Sequence, residues 1–179
     1  FTNDFLVFDL PFILQGTDNA RKVVDSEIGQ NMLDQLENQD IIGLAYFENG
    51  FRNITNSVRS IEKPEDLAGL KIRTMENPVH MESFNVMKAS ATPMAFGELF
   101  TALQQKTIDG EENPLAIIST SKFYEVQDYL TLSEHFYAAA PLLIGKNFYD
   151  GLNPEIQQAI QEAAVEARDF ERGILDDMN

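Results

Sequence analysis

The sequence predicts an α/β protein with a largely parallel sheet, and three observations carry that expectation. Short apolar, partly β-branched runs such as IIGLAYF (41–47) and LKIRT (70–74) alternate along the chain with segments of three-to-four apolar spacing. A capping asparagine stands directly before proline at Asn77-Pro78, Asn113-Pro114 and Asn153-Pro154, which is how helices commonly open. The chain has 179 residues, of which 44% are hydrophobic, enough to bury a core in one or two compact units.

Taken in order, FLVFDLPFIL (5–14) reads as a strand end followed by a buried loop around Pro11. Thr17 or Asp18 can cap a helix running to about residue 37, with Ala20, Val23, Val24, Ile28, Met32 and Leu36 on one buried stripe. IIGLAYF is a buried strand bounded by Asp40 and Asn49-Gly50, and FRNITNSV a second extended segment. Pro64, Glu65 and Asp66 open a short helix stopped by Gly69, ahead of the strand LKIRT. Asn77-Pro78 starts a helix that places Phe84 and Met87 on the core. ATPMAF is extended, and residues 97–106 form a helix burying Leu99, Phe100 and Leu103. Asp109-Gly110 is a turn, LAIISTS follows the second cap, and 129–145 is strand-rich. The last helix begins at Asn153 and places Ile156, Ala159, Ile160, Ala163, Ala167 and Phe170 on its packed side. With no repeat or low-complexity linker, a boundary must fall inside the fold, at Asn49-Gly50 and at the run Ala138–Ala140. The first residue, Phe1, reads as the opening of a piece of a longer chain.

Composition removes several function classes. There are 29 acidic and 13 basic residues, a formal net charge of −16, the wrong sign for neutralising nucleic-acid phosphates or an anionic membrane surface. No apolar run approaches the roughly 18 residues of a membrane-spanning helix. Without cysteine there is no disulfide, thiolate chemistry or cysteine-held metal, and His80 and His135 are too few for a histidine site. The negative excess is uneven: residues 1–49 carry 9 acidic and 2 basic side chains, residues 50–100 carry 6 of each, and residues 101–179 carry 14 and 5. The neutral middle is where an anion is tolerated if an arginine is aimed at it.

Arg73, on the strand LKIRT, lies in that neutral stretch. A guanidinium grips a carboxylate with two parallel bonds and keeps its charge, but an arginine on a strand also makes surface ion pairs. Arg52 has the same two readings, with Asn49, Gly50 and Asn53 suggesting a polar loop or the edge of a cleft. Asn113 is a helix N-cap, a ligand contact beside exposed N–H groups, or both. Phe96 fills the core or stacks on a ligand. Adjacent Glu111 and Glu112 invite a hydrolase reading, yet neighbours on an extended segment point to opposite faces and do not make a facing acid–base pair. No nucleophile elbow, phosphate loop or zinc-helix pattern is present. The residues alone describe a ligand-binding module without catalytic equipment.

GLKIRTMENPV, ATPMAFGELFTALQQKTIDGEENPLA and SKFYEVQDYLTLSEHFY, with DLPFIL near the start and LNPEIQQAIQEAA near the end, occur in that order over nearly the whole chain. This succession resembles the extracytoplasmic solute-binding subunits of TRAP transporters, the DctP family. The resemblance implies a periplasmic-binding-protein-like two-lobed clamshell, type II-like, of which this chain is a part. Residues 1–49 would belong to lobe I, 50–138 would form the main part of lobe II, and 139–179 would return to lobe I. It implies a periplasmic protein, with no signal peptide in this chain. Such a protein captures a small organic acid (a dicarboxylate, sugar acid or 2-oxo acid) between its lobes and delivers it to the membrane permease subunits for ion-coupled uptake. No enzyme activity, cofactor, metal or nucleic-acid partner is implied. By the same resemblance Arg73 grips the ligand carboxylate, Asn113 faces the ligand, Arg52 adds a contact and Phe96 lines the pocket, while Glu111 stands where glutamine is usual. Family chains carry a further strand–helix–strand unit before this stretch and continue beyond the last helix. A sensing module that presents its bound acid to a receptor, or a carboxylate-based hydrolase or isomerase, are the competing functions.

Overall fold

The computed structural model describes residues 3–178; Phe1, Thr2 and Asn179 lie outside the described residues. Five strands, β1 (Ile41–Asn56), β2 (Lys71–Thr74), β3 (Ser90–Pro93), β4 (Gly110–Pro114) and β5 (Tyr129–Gly145), make one sheet in the order β3-β2-β4-β1-β5. Strand β2 runs parallel to both β3 and β4, but β1 pairs antiparallel with β4, so the sheet is mixed rather than largely parallel. Local sequence identifies extended segments, whereas strand direction depends on the route of the connections between them. The helices are α1 (Thr17–Val24), α2 (Glu27–Asp34), α3 (Pro78–Val86), α4 (Phe96–Gln104), α5 (Leu115–Thr120), α6 (Lys146–Asp150) and α7 (Pro154–Met178).

The chain divides into two compact units, and it passes from one to the other within β1, at Gly50/Phe51, and within β5, at Phe136/Tyr137. Residues 9–13 belong with the second unit.

In the first unit, Leu44, Ala45 and Ala164 form a small core joined by Ile42, Phe47, Ile144, Tyr149 and Ile160. The expected single helix over 17–37 is two helices, because Ser26 turns the chain and caps α2, its hydroxyl accepting from the Ile28 N–H at 3.2 Å. The expected strand end at 5–14 is instead a short 3-10 helix, Asn3–Val7, followed by turns that leave Leu10, Phe12 and Ile13 exposed. Helix α7 packs differently from its apolar stripe: Ile156 and Phe170 are exposed, and the buried positions are Ala164 and Arg172. The side facing β1 is fixed by polar anchors. Gln161 donates to the Leu44 carbonyl at 2.7 Å, and Arg172 donates to the Tyr46 carbonyl at 2.9 Å and to Asp25 at 2.6 Å. Glu48, buried beneath them, accepts from Arg21 at 2.6 Å and from the Tyr137 hydroxyl.

In the second unit the sheet carries two apolar clusters. Ile54, Ile61, Leu67, Leu70, Ile72, Phe84 and Phe136 form one, and Leu99, Leu103, Ile108, Ile118 and Phe123 the other. Asn77 caps α3 as its sequence predicts, accepting from the Val79 and His80 N–H groups, and its amide donates to Asp9 at 2.7 Å. Asn56 ends β1 in the same way, its side-chain oxygen accepting from Val58 and Arg59 at 2.9 Å each.

Gly110, where β4 begins, pairs with Asn56 and with Ile72. A Cβ there would stand 2.2 Å from the Thr55 carbonyl oxygen, which is backbone and cannot swing aside. Gly110→Ala must part β1 from β4, and urea unfolding is expected to show a loss of about 3 kcal/mol.

Candidate functional site

Three adjacent strands of the second unit bring polar side chains into one row. The register sets Thr55 of β1 opposite Glu111 of β4, and Glu111 opposite Arg73 of β2. Two residues further along, Asn53 stands opposite Asn113. Because side chains alternate along a strand, Arg73, Glu111, Asn113, Thr55 and Asn53 share one face, while Arg52, Ile54 and Glu112 take the other. All of these residues are buried.

Arg73 is 4% exposed. Its Nε and Nη2 both donate to the Met94 carbonyl, at 3.0 and 2.8 Å. Among the described residues no carboxylate lies within ion-pair distance of it, although the other buried arginines have one: Arg52 has Glu112 and Arg172 has Asp25. Burial pulls the Arg73 guanidinium down from its usual pKa, and neighbouring Arg52 adds to that, against the opposing pull of Glu112 and Glu111.

Glu112 is fully buried on the opposite face. Arg52 holds its carboxylate through Nε and, at 2.8 Å, through Nη2, while Nη2 also reaches the Glu112 carbonyl at 2.5 Å. The two histidines lie on the same carboxylate: His135 Nε2 is 3.3 Å away and His80 Nδ1 3.9 Å away. His80 uses its other nitrogen on Asp9, at 3.0 Å, and stacks on Phe136, while His135 meets the Ser133 hydroxyl at 2.8 Å. Burial alone would raise the Glu112 pKa, but the Arg52 charge and the contacts from His135 and Arg52 outweigh it and hold it at about 2. Burial lowers the pKa of His135 against the pull of Glu112.

Asn113 and Glu111, on the Arg73 face, connect to the Glu112 pair through Arg52. Asn113 donates from Nδ2 to Glu111 at 2.5 Å and accepts at Oδ1 from Arg52 Nη2 at 3.2 Å. Glu111 also meets the Thr55 hydroxyl at 2.7 Å, and that hydroxyl is 3.1 Å from the Gln127 side-chain oxygen. Burial pushes the Glu111 pKa up to about 7, despite the bonds from Thr55 and Asn113.

The structure therefore brings Arg73 and Asn113 onto one face and sends Arg52 to the other, from which it touches Asn113. Arg52 is not in a polar loop or at an edge; it is inside β1, 3% exposed and paired. Asn113 is not the helix cap, since Pro114 holds the N-cap position of α5 and the Asn113 amide is engaged by Glu111 and Arg52. Phe96 is half-exposed in the first turn of α4, two residues after the carbonyl that holds Arg73, with its edge against Phe123 at 6.0 Å between ring centres. Glu111 and Glu112 point to opposite faces, as strand alternation requires, and their networks meet where Arg52 reaches Asn113. The sequence reading missed Thr55 as a partner of Glu111, Gln127 as a partner of Thr55, and the gathering of both histidines at Glu112; no periodicity signals pairings between residues 23 to 72 positions apart.

The second unit is thus a mixed sheet with flanking helices that buries the Arg73 guanidinium with no counterion among the described residues. Comparison with known proteins identifies the class. The profile of the bacterial extracellular solute-binding proteins, family 7, called DctP, matches residues 1–179. The chain belongs to this family, whose members and structural neighbours are solute-binding transport proteins. It is similar to the 2,3-diketo-L-gulonate-binding periplasmic protein of Escherichia coli, at 40% identity over 94% of this chain and 52% of the relative. Among solved structures it resembles a TRAP periplasmic solute-binding protein from a Polaromonas species bound to D-erythronate, with TM-score 0.94 and 44% identity over 97% of this chain and 57% of that one. It also resembles a sugar-acid-binding protein from Advenella mimigardefordensis in complex with galactonate, with TM-score 0.90 and 48% identity over 95% and 55%. The chain spans about half the length of the curated relatives it matches.

Glu112→Gln removes the only carboxylate paired with buried Arg52 among the described residues. It is expected to cost about 3 kcal/mol in chemical denaturation. The sign with pH follows from the lowered pKa. The wild-type contribution is present above the unfolded value of 4.5 and is lost as pH falls through about 2, so the gap between wild type and variant closes in acid.

Proposed function

We propose that this protein captures a small organic acid through Arg73 and delivers it to the membrane subunits of a TRAP transporter. One observation carries the reading: Arg73 is a buried cation whose only bonds among the described residues go to a backbone carbonyl. Desolvating a charge without a counterion costs several kcal/mol, and an incoming carboxylate offsets that cost while gaining strong, weakly screened bonds. Asn113 and Phe96 complete the binding residues, Asn113 with an amide oriented from both ends and Phe96 with an exposed ring surface. Arg52 contributes through Asn113, because most of its donors are taken by Glu112.

The acids named for the relatives narrow the chemistry. D-erythronate, galactonate and 2,3-diketo-L-gulonate pair one carboxylate with hydroxyl or keto oxygens, and they come with relatives 40–48% identical to this chain. The succinate-bound relative is 35% identical. A hydroxylated monocarboxylic acid is therefore the ligand class we assign, read by Arg73 at its carboxylate. The first compact unit corresponds to part of lobe I and the second to lobe II, and the site of action is the periplasm. Permease subunits are the partner, and ion-coupled uptake is the process served.

A thermal-shift screen of D-erythronate, D-galactonate, D-glucuronate and succinate against the intact protein tests this directly, since a ligand that binds only the native state raises its melting temperature. For the best acid, Arg73→Met is expected to weaken affinity by roughly 100-fold, about 3 kcal/mol. The same change is expected to raise the melting temperature of the ligand-free protein, because it removes an uncompensated buried charge. Near-normal affinity in the variant would remove Arg73 from its central role.

A further inference from the structure

The hydrogen bonds around Glu111 count protons. Thr55 Oγ1 is within bonding distance of both Glu111 Oε1, at 2.7 Å, and Gln127 Oε1, at 3.1 Å, and a hydroxyl has only one hydrogen to give. If Glu111 is a carboxylate, that hydrogen serves one of the two and leaves the other pair as facing acceptors. Turning the Gln127 amide over does not help. Its Nε2 donates to the Val126 carbonyl at 2.8 Å, and a flip would set two oxygens against each other there. Turning over Asn113 is blocked from the other side, since its Oδ1 accepts from Arg52 and a flip would oppose two donors.

One arrangement satisfies every contact of Glu111, Thr55 and Gln127. Glu111 carries a proton on Oε1 and donates it to Thr55, Thr55 donates to Gln127, and Gln127 donates to the Val126 carbonyl. Glu111 Oε2 remains free to accept from Asn113 Nδ2 at 2.5 Å, and Asn113 accepts from Arg52. The chain Arg52–Asn113–Glu111–Thr55–Gln127 is then continuous, with Arg52 Nη2 sharing its two hydrogens among the Glu112 carbonyl, Glu112 Oε1 and Asn113 Oδ1.

We propose that Glu111 is a neutral carboxylic acid in the working protein, and that it is the positioning residue that fixes the Asn113 amide and leaves Arg73 uncompensated. The ionisable groups around it support the same state. Glu112, on its own strand, is already negative and repels a second charge. Its neutraliser Arg52 is on β1, His135 on β5 lies against Glu112 rather than Glu111, and Arg73 on β2 is bound to the Met94 carbonyl instead of to Glu111. Full burial at 0% exposure removes the water that would stabilise the anion, which is why the pKa stands at about 7 rather than in the carboxylate range. Ionisation breaks the proton chain at Thr55 and places a negative charge across from Arg73, where it opposes an incoming carboxylate. The positioning role rests on the acid-binding reading above; the protonation does not.

Melting curves of the intact wild-type and Glu111→Gln proteins between about pH 5 and about pH 9 test the protonation. A raised folded-state pKa stabilises fully below the unfolded value of 4.5 and is lost as pH climbs through about 7. Wild type is therefore expected to fall relative to E111Q by roughly 5 °C over that range. Infrared difference spectra should show a protonated-carboxyl C=O band at pH 6 that E111Q lacks and that wild type loses by about pH 9. That band can be followed in wild type alone if the variant folds poorly. Parallel melting curves, or no such band, would overturn the protonation.

Titration with D-galactonate tests the positioning role, with the remaining acids of the panel as substitutes. Affinity is expected to drop about tenfold from pH 6 to pH 9 in wild type and to stay level in E111Q. A level wild-type profile would overturn the positioning role. Failure of every acid to bind either protein would overturn it together with the acid-binding reading, while the melting curves and the infrared band still decide the protonation.

Discussion

Between β1 and β4, Arg52 and Glu112 neutralise each other out of reach of water, and this pairing leaves Arg73 as the buried arginine without a carboxylate partner among the described residues. Glu112 is the charged acid of the region, and both histidines lie against it as well. Had Glu112 been directed to the opposite face, it would share that face with Arg73 and close the ion pair that the ligand is proposed to make. Strand alternation prevents this, because neighbouring residues on β4 cannot face the same way. The division of labour between two arginines thus follows from the pleat of one five-residue strand.

Glu111 extends the same logic. Its position on the Arg73 face makes it the obvious internal counterion, yet it bonds to Thr55 and Asn113, and Arg73 bonds to a carbonyl. Kept neutral by burial and by Glu112 beside it, Glu111 behaves as a hydrogen-bonding amide would. This accounts for how an acidic side chain can occupy a position where the family resemblance implies glutamine without silencing the arginine across from it. The net charge of −16 is consistent with an anion-binding protein for a related reason: the surplus carboxylates lie mostly outside residues 50–100, and the two acids nearest Arg73 are paired or protonated.

The face that carries Arg73 also explains features of the surrounding fold. Gly110 lets β4 approach β1 closely enough for Glu111, Glu112 and Asn113 to reach their partners in register. The Met94 carbonyl that holds Arg73 comes from the extended stretch between β3 and α4, which also brings Phe96 near. In the first unit the polar anchoring of α7 through Gln161 and Arg172 adds to the small apolar contact of Ile160 and Ala164 and gives that helix a defined docking face.

Much of this was legible in residues 17–178 as a one-dimensional pattern. The capping asparagine at Asn77, the extended runs, the helix following Phe96 and the opposite facing of Glu111 and Glu112 all depend on interactions within a few residues, which local sequence encodes directly. The family resemblance, carried by a long ordered succession of motifs, supplied Arg73 and Asn113. Strand direction, the break at Ser26, the packed side of α7, the burial of Arg52 and the proton chain through Thr55 and Gln127 were decided only by tertiary structure. Each of these depends on which distant group supplies a hydrogen bond, a charge or a desolvating wall. The charge state of a carboxyl belongs to that second kind, since the same glutamate is an anion or an acid according to what surrounds it.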